Sequence, residues 1–203
     1  MAVFEYIPAL ITFIFLFTII SYYALIFIKI KKPAKTHKFS SITVIIPAHN
    51  EEKYILATIE SVEKAEYGNR REIIVVDDGS TDRTKDIVAA LSRKRKNVRL
   101  FSIRHSGKST ALNYGIKKAR YDIVAFVDAD STLDRKSLRR LVEPLAGKSI
   151  SISSGVIRAR HTRNPLSWFQ DIDYISSSGW RYACDKINAT YISPGFAAFR
   201  KQD

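Results

Sequence analysis

Acidic side chains directly follow three apolar, β-branched runs of this 203-residue sequence. The segments after the runs are 47–51 (PAHNE), 77–80 (DDGS) and 128–130 (DAD). Gathered carboxylates repel one another unless a cation or a donor-rich ligand joins them. Asp128 and Asp130 alternate, so an extended backbone would aim both to one side. Mg²⁺ and Mn²⁺ bind carboxylate oxygens and complete their coordination with water and ligand phosphates. The pattern therefore indicates a divalent cation and a diphosphate-bearing ligand.

The acidic segments can meet only if the runs before them are strands of one sheet. Strand patterns alternate with helical periodicity, the strands at 42–47, 72–77, 98–103 and 122–130 and the helices near 55–62, 87–91, 108–119 and 138–145. Such repeats predict an α/β fold, a mostly parallel sheet with helices on both faces. Ligands of such sheets bind outside the carboxyl ends of the strands. After residue 149 we expect a strand over 150–159, a helix over 166–186 and a loop-like start to 193–200.

The amino-terminal part predicts a membrane anchor. Segment 7–28 carries no charged residue, and a helix of that length spans about 33 Å, enough for a bilayer core. No Lys or Arg precedes it, which disfavours a cleaved signal peptide. We expect a tail over 1–6, a transmembrane helix over 7–30 and a basic linker over 31–40.

The orientation of that anchor follows from the charges after it. Lysines 29, 31, 32, 35 and 38 flank the apolar segment, and the positive-inside rule places such a cluster in the cytoplasm. We therefore expect a single-pass protein of the cell membrane whose domain over 41–203 is cytoplasmic. The sequon at Asn188 should then stay unglycosylated.

The net charge of +13, from 33 Lys+Arg against 20 Asp+Glu, is compatible with nucleic acid, anionic lipid or a phosphate-bearing substrate. The basic run 93–96 has no interleaved aromatic residues, so we expect it to face anionic lipid or water and predict no nucleic-acid partner. The single Cys184 forms no internal disulfide. We expect no metal-ligand cluster from the four histidines, His37, His49, His105 and His161.

A P-loop NTPase is a competing interpretation. Segment 106–110 (SGKST) copies the second half of a P-loop, and 124–130 (VAFVDAD) resembles a strand that holds magnesium in such enzymes. A P-loop requires a glycine five positions before Gly107. That position is Ser102, inside a predicted strand, so the phosphate-wrapping loop is missing and this interpretation is the weaker one.

Taken in order, the motifs resemble those of the family-2 glycosyltransferases, inverting enzymes of the GT-A fold that include cellulose, chitin and hyaluronan synthases and polyprenyl-phosphate sugar transferases. The resemblance covers about 41–200 and rests on VIIPAHNE, VVDDGSTD, GKSTALNYG, FVDAD and SPGFAAFRK. It implies a GT-A-type, Rossmann-like domain over 41–203. It also implies a nucleotide-sugar donor, a UDP-sugar by preference, a carbohydrate or polyprenyl-phosphate acceptor, and contact with membrane lipid.

The resemblance also implies roles for individual residues. The nucleotide-sugar would be held by Pro47, Ala48, His49, Asn50, Glu51, Asp78, Lys108 and Asp128. Asp128 and Asp130 correspond to the family's DxD pair, of which Asp130 most directly coordinates the Mg²⁺ or Mn²⁺ that bridges the diphosphate. The acceptor side would include Gln170, Asp173 and Gly195.

The family chemistry is a displacement at the anomeric carbon of the sugar. The metal stabilises the leaving nucleoside diphosphate, while a carboxylate removes the proton of the acceptor hydroxyl. In the family that base lies some tens of residues beyond the position of Arg200, so Asp203 is too early to match it. We therefore expect a domain truncated at its carboxyl end, inactive alone and with no catalytic residue of its own. The alternative is a non-catalytic nucleotide-sugar-binding protein or subunit, completed by a separate carboxy-terminal polypeptide.

Overall fold

The computed structural model describes residues 6–27, 40–146, 150–159, 164–185 and 195–201. The chain divides into two compact units, a smaller one of 1–32 with 156–192 and a larger one of 33–155 with 193–203. The lysine cluster, the sequon at Asn188, Asp203 and all of the predicted linker except Ser40 lie outside the described residues.

The larger unit alternates strands and helices as predicted, and the smaller unit holds two long helices. In chain order the elements are α1 (Ile7–Phe27), β1 (Ile42–Ala48), α2 (Ile55–Lys64), β2 (Arg71–Asp78), α3 (Thr84–Lys94), β3 (Val98–Ile103), α4 (Lys108–Lys118), β4 (Ile123–Val127), α5 (Ser137–Val142) with a 3₁₀ turn (Glu143–Ala146), β5 (Ile152–Ser154), α6 (Pro165–Asp185) and β6 (Phe196–Arg200).

The strands form one six-stranded sheet in the order β3-β2-β1-β4-β6-β5. The first four strands of that order are parallel, whereas β6 pairs antiparallel with both β4 and β5. The predicted mostly parallel α/β sheet is thereby confirmed. The loop-like start predicted for 193–200 gives way to a strand from Phe196, because its apolar residues pair with β4 and are buried. The strand predicted over 150–159 is limited to β5.

The fourth strand ends earlier than its composition suggested. β4 stops at Val127, and the next three residues form a turn in which Ser131 N–H donates to the carbonyl oxygen of Asp128 (3.1 Å). The expectation that Asp128 and Asp130 alternate along an extended strand was therefore wrong. Both follow the strand end, but a turn positions them.

The core of the larger unit is built on β1 and β2, whose aliphatic side chains are buried on both faces. One buried carboxylate ties this core to the neighbouring strands. Glu72 accepts from Thr43 Oγ1 (2.9 Å), Arg99 Nη1 (2.6 Å) and the N–H of Arg120 (3.1 Å). A buried charge is tolerated only with such partners, so Glu72 fixes the amino-terminal end of β2 against its neighbours.

Helix α1 meets the length and hydropathy criteria for a membrane span. Its segment Ile7–Leu25 has a mean hydropathy of 2.0 and no buried residue, and it is the one such helix among the described residues. Near its carboxyl end, the Tyr22 ring stacks on that of Trp180 in α6, with centroids 5.5 Å apart. The described helix ends at Phe27, within the predicted span of 7–30.

Gly115 is where α4 approaches the sheet most closely. A Cβ at this position would lie 2.6 Å from Cγ2 of the fully buried Ile45. Gly115→Ala should lower the free energy of unfolding by about 1–3 kcal/mol through overpacking, although in an exposed helix it would raise it by about 1 kcal/mol. Thermal unfolding followed by circular dichroism measures the difference. Asn113→Ala, at an exposed position of the same helix, is the control, and a stabilised Gly115→Ala variant would contradict this packing.

Candidate functional site

A cleft of about 310 Å³ opens at the carboxyl ends of β1, β2 and β4. It lies where parallel α/β sheets bind ligands. The cleft is lined by every residue that the sequence analysis assigned to the nucleotide-sugar except Asn50. Asp130 lines it too. The remaining wall is formed by residues that were not predicted, namely His105, Gly107 and Ala129. His105 and Gly107 follow β3, which no acidic residue follows directly, so the pattern of acidic strand ends did not point to them.

The residues assigned to the acceptor side fall in both units. Gln170 and Asp173 lie on α6 in the smaller unit, where Gln170 Nε2 donates to Tyr174 Oη (3.1 Å). Gly195 precedes β6 in the larger unit, and its carbonyl oxygen accepts from the N–H of Asp128 (3.3 Å). This bond places Gly195 beside Asp128. Gly195 does not line the cleft.

Asp78 joins the end of β2 to the start of α4. Its carboxylate is buried and accepts from the backbone N–H groups of Ser106 (2.8 Å) and Gly107 (2.9 Å). Gly107 has φ 88° and ψ 159°, a conformation essentially restricted to glycine. The bonds to Asp78 therefore hold the loop in place and bring Gly107 and Lys108 into the cleft wall. Oδ1 keeps a second lone pair for a ligand, whereas Oδ2 also lies 3.0 Å from Nδ1 of His105.

Asn50 joins the loops after β1 and β2. Its φ is 56°, a left-handed value that Asn tolerates better than most residues. Its side-chain oxygen accepts from Thr81 N–H (2.8 Å), and its own N–H donates to Ser80 Oγ (3.0 Å). Asn50 thus shapes the loop that carries its neighbours into the cleft.

Two histidines meet at one side of the cleft, contrary to the expectation that the histidines form no cluster. The rings of His49 and His105 lie 4.2 Å apart between centroids. Ligand atoms of these two side chains and of Asp78 lie within 4.8 Å of one another, which is close enough for a metal triad. The strand-end rule could have found His105 at the end of β3. His37 and His161 lie outside the described residues.

The hydrogen bonds of this triad show which ring nitrogens of the two histidines carry a proton. Nδ1 of His49 lies 2.8 Å from the carbonyl oxygen of Asp78, and Nδ1 of His105 lies 3.1 Å from the same atom. A carbonyl oxygen only accepts, so both Nδ1 atoms carry a proton. Nε2 of His49 then accepts from Asn50 Nδ2 (3.3 Å). Coordination of a metal through Nδ1 would break these bonds, so the arrangement favours hydrogen bonding.

The other side of the cleft has surplus negative charge. The pKa of the Glu51 carboxyl lies above its ordinary value, first because of desolvation and then because of the carboxylates of Asp130, Asp82 and Asp128. Lys108 Nζ, 2.5 Å from Asp128 Oδ1, supplies one compensating positive charge. An all-oxygen set with excess negative charge suits a hard divalent cation such as Mg²⁺ or Mn²⁺. The residues present therefore fit the predicted ion.

Residues 43–203 match the family model described as Glycosyl transferase family 2. The chain belongs to glycosyltransferase family 2. Membership of this family accounts for the GKST segment, so a P-loop is not needed to explain it.

Over 179 residues, the chain is 30% identical to the poly-β-1,6-N-acetyl-D-glucosamine synthase of Staphylococcus aureus (strain COL), a match covering 84% of this chain and 42% of that protein. It is 39% identical over 106 residues to the probable glycosyltransferase YdaM of Bacillus subtilis (strain 168), which covers 50% of this chain and 25% of that protein. The chain thus spans less than half the length of these relatives.

Solved structures show the same architecture. The mannosyltransferase PcManGT from Pyrobaculum calidifontis, in complex with GDP-Man and Mn²⁺, has a TM-score of 0.74 at 24% identity, covering 91% of this chain and 52% of that one. Residues 1–349 of S. aureus TarS, in complex with UDP-GlcNAc, give a TM-score of 0.51 at 27% identity, covering 61% and 37%. The first likeness shows that this family-2 glycosyltransferase has the GT-A fold.

The two structural roles of Asn50 predict an order of stability. Asn50→Gly keeps the left-handed backbone but removes the side-chain bonds, so the free energy of unfolding should fall by about 1 kcal/mol. Asn50→Ala loses the side-chain bonds and also disfavours the left-handed backbone, so its free energy of unfolding should be lower by about a further 1 kcal/mol. Chemical denaturation of the two variants measures the order. Lys53→Ala, at an exposed neighbouring position, should change stability by less than about 0.5 kcal/mol. Equal stability of the Gly and Ala variants would argue against the left-handed conformation.

Proposed function

We propose that this glycosyltransferase binds a nucleotide-sugar donor, a UDP-sugar, in the cleft and takes part in inverting transfer of its sugar to a polysaccharide or lipid-linked acceptor. The observation that carries the proposal is the convergence of three strand ends and the start of α4 on one cleft. Family membership supports the reaction class.

We assign the diphosphate to the part of the cleft between Lys108 and the DxD pair. Asp128 and Asp130 would hold Mg²⁺ or Mn²⁺, with Asp130 as the more direct ligand because Asp128 is paired with Lys108. Gly107 and Lys108 stand at the amino-terminal end of α4, where the helix dipole favours an anion. The cation, when bound, would stabilise the negative charge of the leaving nucleoside diphosphate.

We assign the base and ribose to the opposite wall, made of 47–49, Asp78 and His105. This wall offers both hydrogen-bonding groups and a flat apolar surface. Asp78 Oδ1 retains a lone pair, and the imidazole rings of His49 and His105, whose centroids lie 4.2 Å apart, offer their outer faces to a planar base.

UDP-GlcNAc is the donor to test first. Two observations support it: the relative named as a poly-β-1,6-N-acetyl-D-glucosamine synthase and the TarS structure solved with UDP-GlcNAc. We further propose that α1 anchors the protein in the cell membrane with the larger unit in the cytoplasm, because α1 is apolar on all sides and none of the residues of its span is buried.

Replacement of Asp130 tests the metal site. Asp130→Asn should weaken UDP-GlcNAc binding in the presence of Mn²⁺ at least about tenfold, as expected on loss of a metal ligand. Calorimetry on the full chain in detergent, with and without Mn²⁺, measures this. Asp86→Asn removes the same charge from an exposed position on α3 and should bind as the parent does. Metal-independent binding that is unaffected by Asp130→Asn would refute the proposed site.

The pairing of Lys108 with Asp128 predicts opposite effects on metal and nucleotide. In Lys108→Met, Mn²⁺ alone should bind roughly fivefold more tightly, because a competing positive charge has gone from beside Asp128. UDP at saturating Mn²⁺ should bind roughly fivefold more weakly, because the diphosphate loses that charge. Titrations of Mn²⁺ and of UDP measure the two affinities, with the exposed Lys117→Met of the same helix as control. A change of both affinities in the same direction would exclude a shared role for Lys108.

A further inference from the structure

Helix α6 exposes its apolar face and turns its polar face inward. Its large exposed side chains fall within an arc of roughly 200° at about 100° per residue, interrupted by Asp173, Ser176, the half-buried Gly179 and the buried Ala183. They are Leu166, Trp168, Phe169, Ile172, Ile175, Trp180 and Tyr182, with Leu166 79% and Phe169 62% exposed. The opposite arc holds the buried or half-buried Ser167, Asp171, Tyr174, Ser178 and Arg181. A contiguous exposed apolar face of this kind marks an interaction site.

The orientation of the helix is fixed by its polar side. Asp171 is buried and forms a bidentate ion pair with Arg158, in which Nε lies 2.8 Å from Oδ1 and Nη2 lies 2.6 Å from Oδ2. The N–H of Ala159 adds a third bond to Oδ1 (3.0 Å). The pKa of the Asp171 carboxyl accordingly lies below its ordinary value, mainly because of the hydrogen bond from Arg158. Rotation of α6 to bury its apolar face would break these bonds.

The apolar face of α6 continues onto α1, within the same unit. Trp180 stacks on Tyr22 at an interplanar angle of 22°. The Tyr22 hydroxyl also reaches Gly179, where a Cβ would lie 2.8 Å from Tyr22 Oη. The span of α1 is uncharged and unburied. The exposed face therefore adjoins a helix whose own surface suits lipid acyl chains.

We propose that α6 lies along a lipid bilayer surface, with its apolar face in the acyl region and its polar face toward the protein. Long amphipathic helices that carry Trp, Phe and Leu on one face adopt this position, and Trp and Tyr are enriched at membrane interfaces. The proposal rests on the anchoring role proposed for α1. It places the acceptor-side candidates Gln170 and Asp173 on an element at the lipid surface, which suits an acceptor carried by lipid.

The tryptophans of the chain make this directly testable. The chain has two, Trp168 and Trp180, and both lie on α6. Trp180 contacts α1, whereas Trp168 lies about 18 Å further along the helix. Trp180→Phe leaves Trp168 as the sole fluorophore and keeps an aromatic ring against Tyr22, and Trp168→Phe provides the matched variant. Each full-length variant is reconstituted into phosphatidylcholine vesicles with or without dibrominated acyl chains, and quenching by lipid and by aqueous acrylamide is measured.

We expect brominated lipid to reduce the emission of both fluorophores by about twofold or more, with acrylamide having little access to either. Quenching of Trp180 but not of Trp168 would overturn the proposal for α6 and leave the anchor intact. If lipid quenches neither, the anchor and the proposal both fail. If Trp168 is shielded from both acrylamide and lipid and the chain crosslinks as a dimer, the apolar face of α6 binds a second copy of the chain. That result would also overturn the proposal. Titration of Mn²⁺ and UDP-GlcNAc on the same vesicles checks the donor site separately.

Discussion

The donor cleft depends on the carboxylate of Asp78. This one group ends β2 and accepts two N–H bonds from the loop before α4, so the position of the helix start is set by the position of the strand end. Hydrogen bonds to an ionised carboxylate are stronger than neutral ones, and burial of Asp78 makes their loss costly. The same residue accepts both histidine protons through its carbonyl oxygen. One wall of the cleft is therefore a consequence of a single residue on a central strand.

The opposite wall is electrostatically unfavourable in the protein alone. Glu51, Asp128 and Asp130 share a small volume, and Lys108 compensates only part of their charge. A fold selected for stability alone would replace or disperse these groups, since local violations of this kind concentrate at functional sites. The repulsion decreases when a cation enters, so the free energy stored in the apoprotein favours binding. The pKa of the Glu51 carboxyl is raised first by desolvation and then by these neighbouring carboxylates.

The strand ends that form the cleft could be predicted from the sequence, because parallel strands are continuous apolar runs and their carboxyl ends lie at one edge of the sheet. The partner of β6 could not, since Phe199 pairs with Val124 far away in the chain and its own pattern resembles a loop start. The turn at Asp128 was not predicted, because the strand was expected to run to Asp130, whereas the bond from Ser131 N–H to the carbonyl oxygen of Asp128 closes a turn there. His105 was accessible to the strand-end argument, but the stacking of its ring on that of His49 was not, because the two loops meet only in the folded sheet.

The two units treat apolar side chains in opposite ways, and this difference is physical evidence about their surroundings. In the larger unit, the aliphatic residues of β1 and β2 are almost completely removed from water, which at about 25 cal/mol per Å² is the main source of stability in a water-soluble domain. In the smaller unit, α1 and α6 expose most of their apolar side chains, so the free energy of apolar hydration would oppose solubility in water. The amphipathic period of α6 is readable from the sequence, yet only the pair between Arg158 and Asp171 shows which face turns inward. A helix held by the pair between Arg158 and the buried Asp171, with its aromatic face outward, gains stability when that face leaves water for an apolar medium.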